Sequence, residues 1–151
     1  MANDLCYRSA GDVARAIRAR ELSPVEVFEA VAGRIEAIDP RLNAYCTLDL
    51  ERARAAAKAA QEALARGDDV GPLHGVPVAV KDDLAVKGLP CTAGSRLLAD
   101  YLPEEDDLTV ARLKRAGAIV LGKTNLPEFG HKAVTDNVLF GTTNNPWDLR
   151  Y

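Results

Sequence analysis

The chain has 151 residues, 48% of them hydrophobic and 27% charged, with a formal net charge of −3. This is one domain's worth of soluble, globular composition, and it excludes a disordered chain and any general attraction to nucleic acid or an anionic membrane. Neither a membrane-spanning apolar run nor a secretory leader is visible, and Cys6, Cys46 and Cys91 form no C-x-x-C pair, so a cytoplasmic protein without a disulfide framework or a zinc site is expected.

The elements follow in chain order. Ser9 and Asp12 cap a first helix that carries Val13, Ala14 and Ile17 on one stripe. Ser23-Pro24-Val25-Glu26 is a capping box with proline at the first helical position. Val27, Phe28, Val31, Ile35 and Ile38 give that second helix its apolar face, and Asp39-Pro40 is expected to stop it. A third, alanine-rich helix is predicted from Leu50 to Arg66, with Thr47 or Asp49 as cap and Gly67 as terminator.

Beyond Gly67 the pattern changes to α/β. Val76–Val80 is a short apolar run with Pro77 near its start, as a buried strand allows. Leu108–Ala116 reads as a helix capped by Asp106 or Asp107 and ended by Gly117, and Ala118–Leu121 reads as a second buried strand. Together they predict one parallel β-α-β unit. The chain thus divides into a helical part (1–67), an α/β part (71–124) and a loop-rich tail (125–151), in which Trp147 is expected to be a buried anchor.

Residues 117–124 satisfy the pattern G-x-x-x-x-G-K-[ST]. A phosphate-binding loop needs flexible residues that wrap an anion and then open a helix. Here the middle residues are Ala-Ile-Val-Leu, which suit a strand, and Leu126-Pro127 follows closely, so nucleotide binding is rejected. Lys81 and Lys123 are each expected directly after a strand, where sites gather in α/β sheets. Either could be a desolvated base, or a lysine that reaches solvent or pairs with Asp82, Asp83 or a carbonyl.

Longer blocks carry more. Gly71-Pro72-Leu73-His74-Gly75-Val76-Pro77-Val78-Ala79-Val80-Lys81-Asp82, the run from Gly117 to Phe129, and the run from Asn137 to Asp148 resemble the amidase signature family, in order and without gaps. Thr92-Ala93-Gly94-Ser95 and the N-terminal helices extend the resemblance over almost the whole chain. The resemblance implies a mixed-sheet α/β fold flanked by helices, of which this chain holds the N-terminal portion. It also implies an amide hydrolase with a Ser–cis-Ser–Lys triad, in which a serine attacks the carbonyl, a second serine relays the proton and a neutral, partly buried lysine accepts it. That lysine corresponds to Lys81.

The family's serines lie beyond the Asn-Pro-Trp-Asp block. Of the three serines here, Ser9 and Ser23 read as caps and Ser95 belongs to a block with another role. The isolated chain is therefore expected to be inactive and to expose a sheet edge and apolar surface. The resemblance places Gly130 and His131 beside the substrate, with His131-Lys132 hinting at a polar or acidic group, and gives His74 a structural part. It implies no cofactor and no metal. The expected partners are a small-molecule amide, a C-terminal segment that completes the fold, or a second copy of the chain. Two rivals remain, a non-catalytic interaction fragment and a glutamine-amidotransferase A-type subunit. The latter ranks lower because Phe129-Gly130-His131-Lys132 departs from that branch.

Overall fold

The computed structural model describes residues 5–150. The chain falls into two compact units. The first comprises Met1–Glu36, Asp49–Val78 and Ala111–Leu121, and the second comprises Ala37–Leu48, Ala79–Val110 and Gly122–Tyr151.

In the first unit, α1 (Ala10–Arg18) begins as its sequence requires, with the Asp12 N–H donating to Ser9 Oγ at 3.1 Å. The capping box at the start of α2 (Pro24–Leu42) is complete. The Glu26 N–H donates to Ser23 Oγ, and the Ser23 N–H donates to Glu26 Oε2, both at 3.0 Å. Val13, Ala14 and Ile17 of α1 pack with Val27 and Val76, bordered by Leu22, Leu64 and Leu73. Each fully buried aliphatic side chain of this kind contributes about 1.5–3 kcal/mol. The next helix, α3 (Leu50–Arg66), is capped by Asp49 and closed by left-handed Gly67. It buries Ala53, Ala57 and Ala60, a helical stripe of small side chains. His74 is structural here, its Nε2 lying 2.9 Å from the Ala60 carbonyl oxygen.

Helix α2 does not stop at Asp39-Pro40 but runs to Leu42, with Pro40 inside its last turn. So late in a helix, proline removes only one backbone bond, and the turn beyond it is tied off locally. The Asn43 N–H donates to Asp39 O at 2.7 Å, and the Ala44 N–H donates to Asp39 Oδ1 at 2.8 Å. The residues that follow form a strand that local sequence does not announce, β1 (Tyr45–Leu48), so Thr47 is a strand residue and Asp49 alone is the cap.

Strands β1, β2 (Pro77–Lys81) and β3 (Ile119–Thr124) form a sheet in the order β1-β3-β2. The β2–β3 pair is parallel. At its start the Ile119 N–H donates to Val76 O, and at its end the Asp82 N–H donates to Thr124 O. Helix α4 (Leu108–Arg115) is the crossover, with the Thr109 N–H on Asp107 Oδ1 and left-handed Gly117 just beyond its end. Strand β1 pairs antiparallel to β3, with Cys46 as a bulge between the partners Tyr45↔Thr124 and Thr47↔Lys123. The sheet is therefore mixed, and β1 and β2 are its outer strands.

The tail contains a short hairpin, β4 (Asp136–Asn137) and β5 (Gly141–Thr142). Its anchors are side-chain amides. Asn43 Nδ2 donates to Phe140 O and Thr142 O, Asn125 Nδ2 to Gly141 O, and Asn137 Nδ2 to Leu126 O. Trp147 is not a buried anchor: it is 95% exposed, and only its N–H is held, by Asn145 Oδ1. An Asx turn suffices to fix that backbone, so the indole is not needed for packing.

Candidate functional site

Lys81 is the last residue of β2 rather than the first after it, and Lys123 lies inside β3. The two-residue period of a strand separates their surroundings. Val80 and Asp82 are buried, whereas Lys81 points to the opposite face, where its side chain is 51% exposed. The partly buried lysine expected from sequence is thus an open one among these residues. Its ammonium donates to Asp83 Oδ2 at 2.9 Å, a half-exposed pair of small net strength.

The second lysine has the buried position. Lys123 is 0% exposed and its Nζ donates to Asp82 Oδ1 at 2.9 Å and to Pro90 O at 3.1 Å. The other oxygen of Asp82 accepts the Thr92 N–H at 3.1 Å and the Thr92 hydroxyl, and Thr92 Oγ1 in turn accepts the Gly94 N–H. Every polar partner of this ion pair is internal, which is the condition for burying two charges without a large penalty. The surroundings are equally dry: burial, and after it the charge of Asp82, push the Cys46 thiol up to about 12, with Lys123 opposing. Burial also raises the Cys91 thiol, whose Sγ lies 3.4 Å from Asp82 O.

The loop at 92–95 is joined to a turn at 127–131. The Ser95 hydroxyl donates to Glu128 Oε1 at 2.6 Å, and the Phe129 N–H donates to Ala93 O at 2.8 Å. Ala93 and Phe129 have φ of 48° and 50°, unusual for residues with a Cβ. Gly130 follows at φ 67°, and a Cβ built on it would lie 3.9 Å from Lys81 Nζ. The turn therefore borders the Lys81 amine, with Phe129 57% exposed. His131 is exposed, its Nδ1 turned to Glu128 O at 2.6 Å, and Lys132 pairs with Asp136.

Of the residues singled out from sequence, Lys81 and Gly130 are thus brought together, and His131 lies next along the same turn. The pairing of Lys123 with Asp82 and with a carbonyl is one of the alternatives its place in the sequence left open, whereas the contacts of Thr92 with Asp82 and the Ser95–Glu128 bond have no signal in the sequence. The phosphate-loop pattern is dissolved by the fold. Gly122 lies in β3, where a Cβ would meet Thr47 O at 2.1 Å, and Lys123 faces Asp82 rather than any anion site. Among the described residues no group of three or more His, Cys, Asp or Glu could hold a metal ion.

The chain belongs to the amidase family, whose pattern it matches over residues 26–151. It is 45% identical over 146 residues to the A-type subunit of glutamyl-tRNA(Gln) amidotransferase from Carboxydothermus hydrogenoformans, covering 97% of this chain and 30% of that protein. Among solved structures, fatty acid amide hydrolase superposes with a TM-score of 0.93 at 28% identity, covering 98% of this chain and 26% of the other. The peptide amidase of Stenotrophomonas maltophilia gives 0.85 at 33% identity, covering 95% and 31%. The chain spans about 30% of the length of the curated relatives it matches.

Proposed function

From membership of the amidase family we propose that the protein cleaves a carboxamide to a carboxylate and ammonia or an amine through an acyl-serine intermediate, with Lys81 as the base. The observation that carries this reading is the position of Lys81 at the end of a parallel strand, its amine bordered by the open Cα of Gly130. In the proposed cycle Lys81 takes the serine proton by way of a relay serine and later helps return it to the departing amine. Gly130 and His131 border the bound amide.

No serine of this chain fills the nucleophile's place: Ser9 and Ser23 are helix caps, and Ser95 is committed to Glu128. On this reading residues 1–151 are the N-terminal portion of a single amidase domain. A serine-bearing segment would complete it and cover the open face of Lys81. No helix among the described residues is long and apolar enough to cross a membrane. The cytoplasmic setting proposed for the protein rests on its free cysteines.

A second reading is an amidotransferase A-type subunit that takes ammonia from glutamine. It is favoured by the 45% identity to such a protein, compared with 28% and 33% for the two solved hydrolases. The two readings share their first chemical step and differ in the ammonia acceptor. The test is ammonia release from simple carboxamides and from glutamine by the protein isolated at its native mass, beside its Lys81→Ala variant. Loss of about 10²-fold or more in the variant supports the reading, whereas hydrolysis indifferent to Lys81→Ala overturns it. Dependence on further subunits and a charged tRNA selects the second reading.

A further inference from the structure

Lys123 is a buried cation for which the proposed reaction has no use. It bears on Lys81 through Asp82, which follows Lys81 in the chain and is fixed by its N–H on Thr124 O at 3.0 Å. One effect is electrostatic. A bare carboxylate on the adjoining residue would favour the charged form of an amine that has to accept a proton, and the Lys123 ammonium cancels that carboxylate from 2.9 Å. The other effect is mechanical. The same carboxylate holds Thr92, and Thr92 Oγ1 holds the Gly94 N–H. Ala93 O holds the Phe129 N–H, and Gly130 then comes up against the Lys81 amine. A closed path leads from Asp82 through two loops back to Lys81.

We propose that Lys123 is a positioning residue for Lys81, neutralising the adjoining Asp82 and, through it, fixing the turn that borders the Lys81 amine. This rests on the reading of Lys81 as the base. The other charged groups around the site are engaged: Asp83 with Lys81 itself, Glu128 with Ser95, and Lys132 with Asp136, while His131 turns its Nδ1 to Glu128 O.

The test requires no turnover. The protein isolated at its native mass is exposed to a trace of acetic anhydride at pH 8, and acetylation of Lys81 relative to Lys58, an exposed lysine of α3, is read by peptide mass spectrometry. Lys123→Met strands the Asp82 carboxylate and lowers the Lys81-to-Lys58 ratio about threefold, the order expected of one uncompensated charge on the adjoining residue. Asp82→Asn removes the carboxylate, keeps an acceptor for Thr92 and moves the ratio the other way. The double variant returns to within about twofold of the parent, because the two effects are coupled. A ratio unmoved in a variant that still melts cooperatively overturns the proposal, as does a shift of the same sign in both single variants. Asp82→Asn carries the test where Lys123→Met does not fold. Failure of Lys81 as the base would appear instead as amide hydrolysis indifferent to Lys81→Ala, and the acetylation ratio stays readable either way.

Discussion

The Lys123 ammonium and the Asp82 carboxylate meet at 2.9 Å with side-chain exposures of 0% and 1%, joining two adjacent parallel strands where they end. Removing one member leaves the other charge buried without its counter-ion. Lys123→Met or Asp82→Asn should therefore cost about 3–5 kcal/mol. The double variant Asp82→Asn/Lys123→Met should cost less than the sum of its parts. Urea unfolding of the four proteins checks both statements, and additive losses would mean that the two charges are independent.

Ser95 joins the loop after Thr92 to Glu128, and its hydroxyl oxygen also accepts the Leu97 N–H at 3.3 Å. Ser95→Ala should lower stability by about 1–3 kcal/mol. It should also speed amide exchange at Phe129 by roughly tenfold through local opening, with Ala53 in α3 unaffected. Exchange measured site by site would separate this from a general loss of stability, in which both amides speed up together.

With its pKa pushed up to about 12 from 9.0, the Cys46 thiol should carry roughly a thousandfold less thiolate at pH 8 than an ordinary cysteine. Alkylation by iodoacetamide should be correspondingly slow in the folded chain and fast in urea. The sign for stability follows from linkage. Below pH 9.0 the thiol is protonated in both states, and between 9.0 and about 12 only the unfolded chain ionises, so stability falls across that window. A cysteine-free control at position 46, Cys46→Ala, should flatten the alkaline loss seen in thermal melts.

Trp147 presents its indole to solvent at 95% exposure. Trp147→Ser should change unfolding free energy by no more than about 0.5 kcal/mol. Tryptophan fluorescence of the parent should show a solvent-exposed emission maximum. A blue-shifted spectrum would place the indole in an apolar setting and contradict the geometry described.

The parts of the fold that the sequence disclosed are those decided within a few residues. Ser9, the Ser23–Glu26 box, Asp49, Asp107 and Gly67 all act on backbone groups two to four positions away, and all sit where capping chemistry puts them. Strand β1 was invisible because Tyr45-Cys46-Thr47-Leu48 is too short to show a period and takes its order from pairing with β3. For Lys123 the sequence left a desolvated base, a solvent-reaching lysine and a partner of Asp82, Asp83 or a carbonyl side by side, because Asp82 lies 41 residues away in sequence and only the fold selects it. Lys81 was found by resemblance, but its exposure follows from strand alternation, with Val80 and Asp82 on the other face.

The asparagine-bound tail and the alanine- and valine-lined core of the first unit differ in kind. Apolar burial weakens on cooling because the hydration of nonpolar surface carries a large heat capacity, whereas exposing amide groups changes heat capacity with the opposite sign. The bonds made by Asn43, Asn125 and Asn137 are polar contacts of the second kind. Cold should therefore loosen the packing around Ile17 and Val27 before it loosens the tail, while heat should release the tail early. The two ends of the temperature scale would open this protein at different places.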